Sequence, residues 1–475
     1  MPMTRRQLLR SASALSGLSL AGFGNLAALP INSTTMGTDL SEYRALVCVF
    51  LFGGLDNHDT VLPYDAASYG DYAAIRAELL NQYSFMSGGS TRLRDRLLPL
   101  STARPFGGRE FALTEEFSGI KGLYDAGNAA LVTNVGPLLH PLDRTQFLEE
   151  SIAIPKRLFS HNDQQSTWVS SQPEGAQFGW GGRFSDQLLL AGANPIRPEF
   201  SAITTQAGNL FISGDATAPY QVGVRGAARL EALRALEGDQ GTPTGDLRYT
   251  LMRQHFAAAG LSMDNLIHSD FGNAMEAALN TNELYDAALQ AAGEIGIPFP
   301  AGNLGGQLRA VANTIAAREV LGVTRQIFFV GLGGFDTHSN QALELPNLQR
   351  EIDAGVTAFF AAMQSLGLGQ QVTLFTASDF GRTLAVNGDG TDHGWGGHHF
   401  VVGEAVNGGE IYGDLPPSLL DHDQDAGGGR LIPTLGVEQY AAALGRWYGL
   451  TDDALSSALD NLDALGGPAS APGFI

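Results

Sequence analysis

Four short, uninterrupted apolar runs constrain this chain more than any other feature. Residues 44–52 (RALVCVFLF) offer no polar face, carry β-branched and aromatic side chains, and stop at Gly53-Gly54. A strand with one wet face alternates apolar and polar residues, so a run like this reads as a strand buried on both sides. Comparable runs occupy 129–135, 325–331 and 371–377, with helical patterns between them at 68–80, 181–190, 304–321 and 341–366. Buried strands alternating with helices predict an α/β fold, a mainly parallel sheet with helices on both faces. Functional side chains of such sheets gather just beyond the carboxyl ends of the strands.

The stretch 195–300 breaks the alternation. Two strand-like pieces at 201–206 and 209–213 lead through Gly/Pro turns to helical patterns at 227–237, 246–259 and 265–292. This predicts a largely helical insertion or cap carried by an α/β domain spanning 40–475. Residues 388–429 are dense in Gly and Asp and suit ligand loops.

The first thirty residues read separately. They hold Arg5, Arg6 and Arg10, no acid, and an apolar, small-residue run over 12–28, which is the layout of a leader peptide. The string Thr4-Arg5-Arg6-Gln7-Leu8-Leu9-Arg10 resembles the signal read by the twin-arginine translocase. That translocase is the expected export partner, and the periplasm or the exterior the expected location. No later stretch approaches the roughly twenty apolar residues of a membrane span, so no stable membrane anchor is expected. Loss of the leader removes three arginines and no acid, moving the formal net charge from −21 to −24. Such a surface repels nucleic-acid phosphates and anionic lipid, and Lys121 and Lys156 are the only lysines available to oppose it. The single cysteine, Cys48, lies in the first apolar run and reads as a core residue without a disulfide partner.

Three of the four strand-like runs end in an acid. Asp56 follows the first in Gly53-Gly54-Leu55-Asp56, Asp336 and His338 follow the third, and Asp379 follows the fourth, with Asp392-His393 shortly after. Carboxylates converging on one sheet edge repel one another unless a cation neutralises them. Carboxylate oxygen with imidazole nitrogen and no thiol suits zinc, manganese or magnesium. His398 and His399 lead into an apolar run, so one points toward such a site and the next away. His140 stands beyond the second strand as a supporting candidate, whereas His255 and His268 sit on helical patterns of the 195–300 region. The mature chain has no Gly-x-Ser-x-Gly elbow, P-loop or dinucleotide fingerprint after a strand.

Several strings together carry a resemblance: the Gly-Gly-x-Asp turn, Ser160-His161-Asn162-Asp163-Gln164-Gln165 leading to Trp168, Phe335-Asp336-Thr337-His338, Ser378-Asp379-Phe380-Gly381-Arg382-Thr383 and Gly390-Thr391-Asp392-His393-Gly394. From the leader to about Pro416 the chain resembles the twin-arginine-exported family called domain of unknown function 1501. That family is similar in fold to the alkaline phosphatase and sulfatase superfamily. The resemblance implies a metal-dependent hydrolase of phosphate or sulfate esters, with a small anionic ester or a surface polymer as partner. It implies one or two divalent ions, Asp56 and Asp379 holding one and Asp336, His338 and His393 the other. It also implies that Arg382 or Arg183 grips an oxyanion oxygen. Two positions depart from the superfamily pattern. Phe380 stands where an imidazole ligand is usual, and His161 where a hydroxyl nucleophile is usual. Ser160 as nucleophile, His161 as a further ligand and His161 as a base all stay open, as does a non-catalytic exported protein that keeps the fold for assembly or surface binding.

Overall fold

The first apolar run forms the middle of the molecule. In the computed structural model, which describes residues 39–86, 92–206, 210–227, 242–262 and 265–475, ten strands join in one sheet. They are β1 (Arg44–Leu51), β2 (Ala129–Gly136), β3 (Ala202–Thr204), β4 (Tyr220–Gly223) and β5 (Gly226–Ala227). Then follow β6 (Arg325–Leu332), β7 (Val372–Ser378), β8 (Gly397–Val402), β9 (Ile411–Gly413) and β10 (Leu435–Gly436). The order across the sheet is β9-β2-β8-β7-β1-β6-β3-β4-β5, with β10 also paired to β2. β1 runs parallel to both neighbours, with Cys48 beside Phe375 of β7 and Phe329 of β6. Only β8 and the two-residue β5 run against the other strands.

Each side of β1 feeds a separate core, because successive side chains point to opposite faces. Ala45, Val47, Val49 and Leu51 pack with Leu308, Ile315, Val356 and Phe359 from the helices Asn303–Ala316 and Gln341–Ser365. Leu46, Cys48 and Phe50 pack with Trp168, Trp180 and Tyr440 from the helices His161–Ser170, Trp180–Leu190 and Val437–Tyr448. Each fully buried large side chain is worth about 1.5–3 kcal/mol, so β1 is a costly strand to disturb. Burial also pushes the Cys48 thiol up, leaving it an inert core group.

All four expected strands form within about a residue of their expected limits. The helix expected at 68–80 is instead two helices, Ala66–Ile75 and Ala77–Met86, separated at Arg76. The 195–300 stretch begins by extending the sheet through β3 and β4, and its helices Pro243–Gly260 and Leu266–Ala292 pack on each other. The longer one reaches the core through Tyr285 and Ala288. Residues 210–213 form a turn rather than the expected strand, although Phe211 and Ile212 are buried. The helix expected at 227–237, apart from its first residue, and the leader over 1–30 lie outside the described residues. Among the described residues no helix is long and apolar enough to cross a membrane.

Parallel pairing places the carboxyl ends of β1, β6 and β7 at one edge. β8 is antiparallel and starts there. The hairpin of Arg382–Val386 and Thr391–His393, which connects β7 to β8, therefore hangs at that same edge. His398 and His399 are both buried inside β8. His398 Nδ1 accepts the Asn134 N–H at 3.1 Å, while the His399 ring lies 4.8 Å from Trp168 on the other side. Burial pushes His398 down to about 4 and His399 down to about 3. Both are thus neutral when folded at neutral pH and recover an ordinary value of about 6.5 on unfolding. Below pH ~6.5 the unfolded chain binds protons that the folded chain refuses. Stability is therefore full above that pH and falls toward pH ~4, by up to about 1.4 kcal/mol per pH unit for each histidine. Urea midpoints should drop between pH 7 and pH 5, with a shallower slope in His399→Phe; an unchanged slope in that variant refutes this assignment.

Candidate metal centre

The acids at the sheet edge settle into two different environments. Asp56 closes the turn after β1 and is fully buried, with a guanidinium as its counter-ion. Its two oxygens take bonds from Arg76 at 2.7 and 3.1 Å, Oδ2 accepts from Gln341 Nε2 at 2.7 Å, and Oδ1 accepts the backbone N–H groups of His58 and Asp59. Asp59 continues the network through Arg92 Nε at 3.2 Å and the hydroxyls of Tyr72 and Tyr83. Arg92 also bonds Glu116 at 2.8 Å. These three carboxylates and two guanidinium groups are all excluded from solvent. Asp56, a metal ligand by the resemblance, is paired here with Arg76, and both of its oxygens are engaged.

The second environment is open. Asp336 leaves β6 and reaches the edge because Gly53 makes room. Gly53 sits at φ +115°, and a Cβ there would collide with the backbone nitrogen of Asp336. Gly390 performs the same service for the hairpin, lying against the carbonyl of His338 where a side chain would not fit. His161 is the first residue of the helix His161–Ser170, which Trp168 ties into the core. His393 ends the hairpin opposite Arg382.

These elements bring His161, Asp336 and His393 together, with one potential ligand atom from each lying within 4.8 Å of the others. His338 completes the group, its Nε2 standing 3.1 Å from Asp336 Oδ1 and 2.8 Å from His393 Nε2. His393 Nε2 is 3.1 Å from the same Asp336 oxygen, and His161 Nε2 is 3.4 Å from the other. The three rings are held alike from behind. His161 Nδ1 lies 2.6 Å from Asp379 Oδ2, His393 Nδ1 lies 2.7 Å from the Phe159 carbonyl, and His338 Nδ1 lies 3.3 Å from Asp392 Oδ1. Each acceptor fixes the hydrogen on Nδ1 and leaves a lone pair on Nε2. Three Nε2 lone pairs then face one carboxylate. Two of them at 2.8 Å repel each other unless a cation lies among them, and His161 Nε2 is a buried atom with no hydrogen-bond partner. Histidine ligands oriented by a carboxylate or carbonyl on the far nitrogen are the usual construction of a zinc-type site, and these residues fit such an ion.

The surroundings shift the ionisable groups of the cluster in different directions. The Asp379 hydrogen bond raises His161 above its ordinary value, while burial lowers His393. Burial acts to raise Asp336, but the Arg382 guanidinium at 2.9 Å outweighs it and holds the carboxyl below its usual range. The Phe380 ring stands 4.9 Å from His161 and 4.6 Å from His393, packing against both imidazoles.

The remaining expected residues fall as follows. Asp379 is fully buried behind His161, with Gln165 Nε2 on the same oxygen at 2.9 Å, so it orients a histidine rather than facing the cluster. Ser160 donates its hydroxyl to Asp163 Oδ2 at 3.0 Å. Arg382 is wholly buried between Asp336 and the carbonyls of Gly53 and Thr391. Arg183 pairs with Asp460 at 2.6 Å, and His140 is exposed. Sequence reasoning missed the Phe159 carbonyl and the orienting roles of Gln165 and Asp392. Only the last two carried a signal, since both lie inside the family strings.

The chain thus presents a large α/β sheet with an open histidine-rich cluster at its carboxyl edge. The family model described as "Protein of unknown function (DUF1501)" matches residues 43–454, and the chain belongs to that family. No curated protein matches it. Among solved structures it is similar to Ps i-CgsB in complex with k-i-k-neocarrahexaose, at 10% identity over 87% of this chain and 74% of that one, with a TM-score of 0.34. It is also similar to the PsFucS1 sulfatase from Pseudoalteromonas sp., at 11% identity over 87% and 68%, TM-score 0.31. A third is the phosphonate monoester hydrolase SpPMH from Silicibacter pomeroyi, at 8% identity over 86% and 73%, TM-score 0.33.

The buried network yields a prediction of its own. Asp56→Ala strands Arg76 in a dry site and should cost about 3–5 kcal/mol in urea denaturation. The double change Asp56→Leu with Arg76→Met removes both charges and should recover most of that loss. If the single change is as stable as the native chain, Asp56 and Arg76 are not paired in solution.

Proposed function

We propose that this is an exported hydrolase of phosphate or sulfate esters whose His161, Asp336, His338 and His393 hold one zinc-type divalent ion. The observation that carries the reading is the common construction of the three imidazoles, each hydrogen-bonded at Nδ1 and each aiming Nε2 at Asp336. Imidazole-rich donor sets favour zinc over magnesium. A bound ion of this kind supplies Lewis acidity at the ester.

The protein's own groups divide the remaining work. Asp379 and Gln165 keep the proton of His161 on Nδ1, and Asp392 and the Phe159 carbonyl do the same for His338 and His393. Arg382 holds Asp336 ionised. Side chains of Asp336 and His338 are nearly half exposed, so the centre has an open side for water and substrate. Ser160 is engaged by Asp163, and hydrolysis by water therefore suits the site better than transfer through a seryl intermediate. The basic leader supports export through the twin-arginine translocase to the periplasm or beyond.

The purified mature chain should carry about one zinc-type ion, lost on His161→Ala, His338→Ala, His393→Ala or Asp336→Ala. Asp379→Asn should weaken the ion by about 10–100-fold without abolishing it. Elemental analysis of each variant checks this, and a native chain that retains no divalent metal contradicts it. With zinc bound, the chain should turn over generic aryl phosphate or sulfate esters. Metal without turnover favours instead a non-catalytic binding protein built on the same fold.

A further inference from the structure

An anionic ester approaching this edge meets the exposed carboxylates of Asp336 and Asp392 on a chain of net charge −21, so a cationic side chain beside the proposed ion is needed to receive it. Arg382 does not serve. It is fully buried, and its nitrogens bond Asp336, the Gly53 carbonyl, and Thr391 through both hydroxyl and carbonyl. Arg183 is paired with Asp460. Arg76 and Arg92 belong to the dry network behind the edge.

Arg430 stands differently. Its Nε donates to the His393 carbonyl at 2.8 Å, its Nη1 donates to the Gly427 carbonyl at 2.8 Å, and its guanidinium lies over the Phe159 ring at 5.3 Å. These contacts fix the side chain beside His393 and beside Phe159, whose carbonyl holds the His393 ring. The supporting loop is rigid. Buried Asp425 Oδ1 takes the backbone N–H groups of Gly427 and Gly429 at 2.7 and 2.8 Å, and Ala426 N–H closes onto the Arg430 carbonyl at 2.8 Å. Arg430 is also within electrostatic reach of Asp392, whose side chain is 48% exposed beside His338 on the open side of the cluster. The residue is only partly buried, and Nη2 takes no part in either of its hydrogen bonds.

We propose that Arg430 is the oxyanion-binding residue of this centre, presenting Nη2 to a non-bridging oxygen of a tetrahedral phosphate or sulfate group. The assignment rests on the hydrolase reading for its substrate, but the geometry of Arg430 stands apart from it. A guanidinium held by two of its nitrogens has little freedom left to lose, so the third offers a pre-oriented, charge-assisted bond. Such bonds are worth roughly 1.5–3 kcal/mol, or about 10–100-fold in affinity.

The test is calorimetric titration of inorganic sulfate and inorganic phosphate into the native chain, Arg430→Gln and Arg430→Lys, each with and without added zinc. Metal content and thermal melting are measured on every sample. Arg430→Gln should weaken anion binding at least about tenfold with its zinc content unchanged, and Arg430→Lys should keep part of the affinity because the charge remains. With substrate, KM should rise more than kcat falls. Anion affinity equal to that of the native chain overturns the proposal. So does loss of zinc in Arg430→Gln, which shows that the side chain merely holds the His393 backbone. If the native chain binds no metal, the hydrolase reading fails, and the comparison without zinc still decides the role of Arg430. If Arg430→Gln does not fold, the comparison with Arg430→Lys decides: an unaltered affinity for both anions then counts against a planar fork at this position.

Discussion

The parallel register of β1 between β6 and β7 is the constraint on which the rest of the molecule depends. It is enforced by burial on two faces at once: a slip of one residue would exchange the side chains of the two cores, so the strand has one acceptable alignment. With the alignment fixed, Leu51 lies beside Leu332 and Ser378, and the three chains leave the sheet at one level. Gly53 then lets the β6 exit pass close enough to bring Asp336 to the shared edge. The site is thus a consequence of packing several residues away from it.

That convergence crowds acids together, and the fold resolves the crowding in two chemically distinct ways. Behind the edge, Asp56, Asp59 and Glu116 are paired with Arg76 and Arg92 in a dry network, with Arg350 at 3.9 Å from Glu116. Such an arrangement adds little net stability over apolar packing but is severely destabilising when one partner is removed. At the front, Asp336 meets three imidazoles, one permanent cation, Arg382, and open solvent. Guanidinium groups close a network, whereas imidazole lone pairs leave room for an exchangeable ion. The same sheet edge therefore carries a permanent electrostatic clamp and a centre fit for chemistry.

Much of this was legible in the chain itself. Runs without a polar face announced the central strands, because only a doubly covered strand tolerates them, and Asp336, His338 and His393 followed from strand ends and family strings. The pairing of Asp56 with Arg76 was not legible, for a physical reason. Its counter-ion, Arg76, sits at the break of what reads as one amphipathic helix, and nothing in local sequence shows that its guanidinium turns inward. Asp379 was recognised as part of the site, but its place behind His161 depends on which side of the ring it approaches, and spacing does not encode that. The Phe159 carbonyl is invisible for a simpler reason, since every residue has one. Arg430 was hidden because it lies about forty residues beyond the hairpin whose His393 it touches, in a loop whose composition suggested ligand binding only in general.

The proposed centre depends on three Nε2 atoms and one carboxylate sharing an ion. X-ray absorption at the zinc edge of the purified, zinc-loaded protein reads that shell directly. A first shell of nitrogen and oxygen at about 2.0–2.1 Å, with the outer scattering of three imidazole rings, is the predicted result. A shell made of carboxylate and water oxygens alone, without imidazole scattering, would contradict it.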